Sequence, residues 1–408
     1  MAENCNDMFY PIGGFCTINK YIMRRRFNDT QLKLYDEIII DQSITNPLQR
    51  VSGDINGPII QYLRQNSHRY LCKYYNGSLH VLALNDTNTG FVNSMAVDLT
   101  GPQGDVMMKP PKFYTLFTDL SGNLDRVSIK FALEPQGPGN WMEWFANDMI
   151  GVYEAAFLNN YIRSISGMAS YGGVTYETSY AHSRLRTSDR SLGPGYGFTL
   201  VKQRHQNIMG ILYVAMYGNT NCQETIGYGT DDYRKINGGT NALGMEDTNF
   251  STNGNDQSIN FWGLENWWGN KYEWVDNVVV NPYAIDSIFR ITEDNGINRD
   301  VQSTLSRGSL VYPHKMILGD NLDLIANYGE SGGASGAGWS DSQSIGSATS
   351  RVVQRSGYND ENDGGIAYSN AGFASSYSSI TTGSRLCYTG PITEVEDYNE
   401  FSQIPLTL

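Results

Sequence analysis

Cysteine and histidine are scarce, with five of each in 408 residues. Cys5, Cys16, Cys72, Cys222 and Cys387 are scattered and contain no CxxC pair. An odd, sparse set argues against a disulfide scaffold and against structural zinc, and reads instead as buried free thiols. His68, His80, His182, His205 and His314 show neither HExxH nor HxH spacing, which argues against a histidine metal centre. Positive charge is also short. Lys and Arg total 29 against 42 Asp and Glu, a net charge of −13. Nucleic acid is therefore not an expected partner, because phosphate neutralisation needs clustered Lys and Arg. The single basic run, Arg24-Arg25-Arg26, is short and reads as a solvated or intersubunit patch. No long apolar run occurs, and the first residues, MAENCND, lack a charged segment followed by an apolar one. The expectation is a protein soluble when made, without membrane insertion and without an export signal. Heptads and β-helix repeats, which would support a fibrous trimer, are missing too.

What the chain has in quantity is Gly (43) and Tyr (27), with many Asn and Ser and a modest apolar fraction of 40 %. That mixture predicts short strands and long ordered loops, in a chain long enough for two or three domains. Residues 1–50 read as an arm for attachment to neighbours or, equally, as the first strand of the domain, through Glu37-Ile-Ile-Ile40. Residues 51–108 read as a small α+β module. It has a short amphipathic helix with Ile59, Ile60 and Leu63 on one face, started by Asn56-Gly57-Pro58. Two strands follow, "YLCKYY" and "LHVLAL", turned at Asn76-Gly77. Residues 109–408 form the main expected domain. Its strands are "KFYTLFTDL", "RVSIKFAL" and a hairpin around Asn159-Asn160. The best helix spans 199–218, capped by Thr199 and ended by Gly218, with Val201, Ile208, Leu212 and Ala215 on one face.

The stretch "GLENWWGNKYEWVD" (263–276) packs four aromatics among glycines, amides and acids. It is too broken for a helix and too aromatic for an ordinary loop. Residues 331–388 are rich in Gly, Ser, Ala, Asn and Tyr, yet hold the strand-like anchors "SRVVQRSG" and "GSRLCYTG". Alone the segment would read as low complexity. Pinned between strands, it has the composition of antibody binding loops, where Tyr gives stiff contact area and small polar residues adapt their hydrogen bonds.

In order, "IGVYEA", "TLVKQRH", "GLENWWGNKYEW", "SRVVQRSGY" and "GSRLCY" resemble the C-type lectin fold of the formylglycine-generating-enzyme type. Its Gly-Leu-x-x-x-x-Gly-Asn-x-x-Glu-Trp string falls on Gly263, Leu264, Gly269, Asn270, Glu273 and Trp274. That match covers about 110–395. Over most of 40–390, the modules "VSGDING…NSHRYL", "DLTGPQGDVMMKPPKFY" and "INFWGLENWWGNKYEWVDNVVV" resemble surface proteins of gut bacteria and phages, many of them targets of diversity-generating retroelements. The resemblance implies an α+β lectin-type fold whose C-terminal segment is the exposed ligand-binding face. Gly263, Leu264, Trp267, Trp268, Gly269 and Trp274 are then scaffold, with each buried ring contributing about 3–5 kcal/mol. A calcium site on Asn270, Glu273 and Asp276 stays open as an alternative, since related folds bind calcium through loop oxygens. Apart from that, no cofactor is expected.

Three clusters carry the expected ligand contacts: Trp339, Ser340, Asp341, Ser342 and Gln343; Tyr358, Asn359, Asp360 and Asn362; and Tyr368, Asn370, Phe373 and Tyr377. The plainer alternative for each is a solvated loop with tucked aromatics. Arg351, Arg355 and Arg385 are expected to pin these loops to the scaffold. Enzymatic relatives place a copper on a Cys pair. Others use iron on a His-rich site. Here Cys387 follows "GSRL" but no other Cys lies between 223 and 386, leaving only the sequence-distant Cys222 as a conceivable partner; no His triad is visible, His205 stands alone, and nothing singles out an acid pair, so no catalysis is expected. The implied function is a non-enzymatic phage virion protein of tail or fibre, assembled in the host cytoplasm, homo-oligomeric, binding a host-surface glycan or protein. The alternatives are a virion component packing on other subunits, a bacterial surface adhesin, and a cytoplasmic retroelement target with an unrelated ligand.

Overall fold

The computed structural model describes residues 34–85, 96–187, 196–230, 234–251, 257–327, 338–347, 350–357 and 364–406. Strands hold 40 % of the described residues and helices 14 %, so sheet dominates an α and β mixture. No helix among the described residues is long and apolar enough to cross a membrane.

Local turn chemistry accounts for the hairpins. Asn76 and Gly77 both take positive φ (49° and 80°), the mirror-image turn that matches strand twist, and join His68–Tyr75 to Ser78–Ala83. Asn159 and Asn160 do the same (53° and 69°) between Ala156–Leu158 and Tyr161–Arg163. The short helix Pro58–Gln65 has its proline in the first turn, where the missing N–H costs nothing, and buries Ile59, Ile60 and Leu63.

The strand Asp36–Asp41 lies inside a five-stranded sheet, between Val51–Gly53 and Arg126–Ala132, with Phe113–Asp119 and Met142–Trp144 beyond. This part of the expected arm is thus a first strand; residues 1–33 lie outside the described residues. A second sheet of fourteen strands is the spine of the molecule. At its centre the long strand Tyr272–Pro282 pairs with Arg351–Arg355 on one side and, in parallel, with Thr382–Thr389 on the other. The sheet continues through Asp148–Glu154, Asp105–Lys109, His68–Tyr75 and Ser78–Ala83 to Ile392–Glu394. Its hydrogen bonding therefore runs across position 108, and Asp105–Lys109 pairs with strands from both sides of it.

The helix Gln203–Tyr217 starts later than a Thr199 cap predicts. Thr199 belongs to the strand Gly197–Leu200, and its hydroxyl donates to Asp276. Lys202 takes the cap position, and the His205 Nδ1 accepts from the Lys202 N–H at 3.2 Å. Gly218 ends the helix in the left-handed region, φ 69°. Val201 lies outside it, and instead of one apolar face nearly every residue from His205 to Ala215 is buried, marking a helix enclosed by the fold.

Candidate functional site

The aromatic motif at 263–276 is the centre of the core. Trp262, Trp267, Trp268 and Trp274 are fully buried, as is Leu264. Gly263 and Gly269 take φ 71° and 81°. Gly269 also packs backbone to backbone on Gly229, where a Cβ would stand 2.6 Å from the Gly229 Cα. The Trp268 indole donates to the Gly227 carbonyl at 2.8 Å, and the Trp274 indole to Val174 at 3.2 Å.

Glu273 sits among these rings and binds two arginines from the C-terminal strands. Arg355 reaches it at 2.5 Å and Arg385 at 2.8 Å, all three side chains being buried. Arg355 lies over the Trp267 ring, 3.4 Å from its centroid, and donates to the Trp267 carbonyl. Arg385 spends its remaining donors on the carbonyls of Gly151, Val152, Glu265 and Asn266. Burial lowers the Arg355 pKa to about 10 despite Glu273, so it stays charged. Close by, burial first and then the charge of Glu273 push the Glu154 carboxyl up to about 8. Its Oε2 accepts from the Asn270 amide at 2.5 Å.

These partners correct the calcium alternative. Asn270 is held by Glu154 and Glu273 by two guanidinium groups. Asp276 accepts from the Thr199 and Tyr176 hydroxyls and from the Asn277 N–H. The carboxylate oxygens of Glu273 and Asp276 are thus taken up by protein donors, while the Asn270 Oδ1 has no hydrogen-bond partner among the described residues. Among the described residues, no group of three or more His, Cys, Asp or Glu is placed to hold a metal.

The first expected contact cluster is also corrected. Trp339, Ser340, Asp341, Ser342 and Gln343 are all buried. The Trp339 indole donates to Gln42 at 3.2 Å, and the Asp341 carboxylate accepts from the Ala367 N–H at 2.8 Å. Gln343 donates to the carbonyls of Leu324 and Ala367 and accepts from the Ala326 N–H. Asp341 and Gln343 satisfy backbone groups of irregular chain inside the protein, which must be paired once water is excluded. That is why their polarity resembles a surface loop. Tyr358, Asn359, Asp360 and Asn362 lie outside the described residues.

The third cluster divides. Tyr368 is buried and stacks on Tyr272 with centroids 5.8 Å apart. Asn370 is half-buried; its amide oxygen accepts from the Ser344 hydroxyl at 3.0 Å and the Gly372 N–H at 2.7 Å. Phe373 and Tyr377 are half-buried and stacked, with centroids 3.9 Å apart and planes at 16°. The strand register sets Val279, Val352 and Phe373 side by side across three strands, and Val279 is 38 % exposed. The loop after Phe373 docks on the start of the helix Tyr176–Arg184. There the Tyr176 N–H donates to the Ser375 carbonyl at 3.0 Å, and the Ser375 hydroxyl donates to Glu177. Tyr176 and Tyr180, stacked at 6.0 Å, pack with Phe373 and Tyr377 around one apolar cluster.

The three thiols among the described residues are chemically quiet. Cys72, Cys222 and Cys387 are buried and unbridged, and burial pushes all three pKa values up. The Cys387 thiol donates to the Leu200 carbonyl at 3.0 Å. A protonated, enclosed thiol is neither nucleophile nor metal ligand.

A charged network escaped sequence reasoning. Asp148 is buried beside Arg204 (3.5 Å) and His205 (3.7 Å) and accepts from the Thr389 hydroxyl at 2.8 Å. Burial alone would raise its pKa, but Arg204, His205 and Lys202 together hold the carboxyl below the usual range. Burial lowers the His205 pKa despite Asp148, leaving a neutral imidazole. The available signal was "KQRH" at a helix start, where the dipole disfavours cations and acidic partners are needed.

No protein-family model matches the chain, and no curated protein matches it.

Proposed function

We propose that this chain is a non-enzymatic attachment protein of a phage virion, built on a lectin-type fold of the formylglycine-generating-enzyme class, that binds a host-surface glycan or protein. The observation that carries this reading is the Phe373–Tyr377 stack. Two large rings are left half-exposed beside a sheet, whereas the cluster Trp339–Gln343 is buried as structure. Stiff aromatic side chains beside Ser375, Ser376 and Ser378 give contact area at small entropic cost, together with adaptable hydrogen bonds. Enzymatic chemistry of the copper type has no support from the enclosed, protonated Cys387. The resemblance to phage and bacterial surface proteins supplies the virion setting.

Antibodies raised against the chain test that setting. They should decorate intact phage particles and block their adsorption to host cells. Decoration of uninfected bacteria instead would move the protein to a bacterial adhesin. Decoration of particles without any block of adsorption would make it a structural virion component.

A further inference from the structure

The hairpin of Ser287–Thr292 and Asn298–Ser303 extends the large sheet beyond Tyr272–Pro282. Strand pairing places one row of side chains across five strands: Asp300, Arg290, Val279, Val352 and Phe373. Directly paired residues share a face of the sheet. With neighbouring strands about 4.8 Å apart, the row is about 19 Å long. Phe373, with Tyr377 stacked on it, closes one end as an aromatic wall. Val279, on the exposed part of the face, lies in the middle.

At the other end Arg290 grips Asp300 in two hydrogen bonds of 2.8 Å, Nε to Oδ1 and Nη2 to Oδ2. Both side chains are nearly half exposed, 49 % and 43 %. The Arg290 Nη1 makes no hydrogen bond among the described residues, and each carboxylate oxygen keeps a lone pair. The pair therefore presents donors and acceptors side by side, already held in place. Neighbouring hydroxyl groups need that combination, because each both donates and accepts.

Charge narrows the ligand further. Arg290 and Asp300 neutralise each other, while the whole chain carries −13. An anionic polymer is repelled, and a cationic one finds no unmatched acid in the row. A protein partner needs a wide apolar centre that sheds water, whereas this row has two rings and one exposed valine beside a polar end. Linked pyranose rings match it, because their C–H faces stack on the electron-rich face of an aromatic ring and their hydroxyls are uncharged.

We propose that this row binds a neutral linear oligosaccharide, with one sugar ring against the Phe373–Tyr377 stack and the hydroxyls of another on Arg290 and Asp300. The assignment rests on the attachment reading and narrows its receptor to a glycan.

Binding of the labelled full chain to intact gut bacterial cells tests it. The same cells are also treated with periodate, which cleaves vicinal diols, or with proteinase K. Periodate should abolish binding, proteinase K should spare it, and added salt should leave it unchanged. Arg290→Ala and Asp300→Ala, at exposed positions and matched to the parent by melting temperature, should each weaken binding about tenfold or more. Binding lost to proteinase K but resistant to periodate means a protein receptor; the attachment reading then stands and this assignment falls. Undiminished binding by both folded variants also overturns it, as does binding that fades with salt. Binding to no strain removes the attachment reading and this assignment with it.

Discussion

Glu273 concentrates the logic of this fold in one side chain. Its carboxylate is buried under tryptophans, which is costly for a lone charge, and two arginines and their further hydrogen bonds make it tolerable. Replacing it by Gln leaves both guanidinium groups without their counter-charge in a dry site, so Glu273→Gln should cost about 3–5 kcal/mol in denaturant unfolding. Glu154, next to it, gives a pH test. Its folded-state pKa, raised from 4.5 to about 8, means that the folded protein holds a proton there that the unfolded chain has lost. Stability from this group is therefore complete below pH 4.5 and declines as pH rises toward 8. Melting temperature across that range should fall less steeply in Glu154→Gln than in the parent. At this scale the sequence was partly legible. The motif carries Glu273, but its arginines come from 82 and 112 residues away, and only the anchor strands around them pointed there. Trp339 and its neighbours misled, because composition does not distinguish a polar loop facing water from one satisfying buried backbone.

Elements set by local rules were the most readable. Both Asn-rich hairpins and the Pro58 helix follow from turn and cap chemistry within a few residues. The start of the main helix did not follow, because pairing of Gly197–Leu200 with Thr382–Thr389 draws Thr199 into a sheet. Parallel pairings were not legible either, since Tyr272–Trp274 meets Thr382–Ser384 only through the tertiary fold. The loop at Gly269 gives a sharp prediction here. A side chain would combine φ 81° with a contact of 2.6 Å against the Gly229 backbone. Gly269→Ala should destabilise by more than about 2 kcal/mol. By contrast, Gly122→Ala, with positive φ but no atom within 4 Å of the new Cβ, should cost only about 1–2 kcal/mol. Melting temperatures of the pair separate crowding from backbone strain.

Across the whole molecule, the large sheet ties the C-terminal end of the described chain back to the hairpin of residues 68–83. Ile392–Glu394 pairs with Ser78–Ala83, and Lys73 donates to the carbonyls of Phe401 and Ile404. Removing residues 391–408 should uncover that strand edge, lower the melting temperature and promote association visible by light scattering. On this frame much of the aromatic and polar wealth of the described residues is structural, and the proposed attachment role rests on the half-exposed Phe373–Tyr377 stack. The decisive measurement is binding of labelled protein to a panel of intact gut bacteria, beside Phe373→Ala/Tyr377→Ala matched to the parent by melting temperature. The attachment account predicts that the parent binds some strains and that the folded double variant loses that binding. Equal binding by both proteins, or binding of neither to any strain, would contradict it.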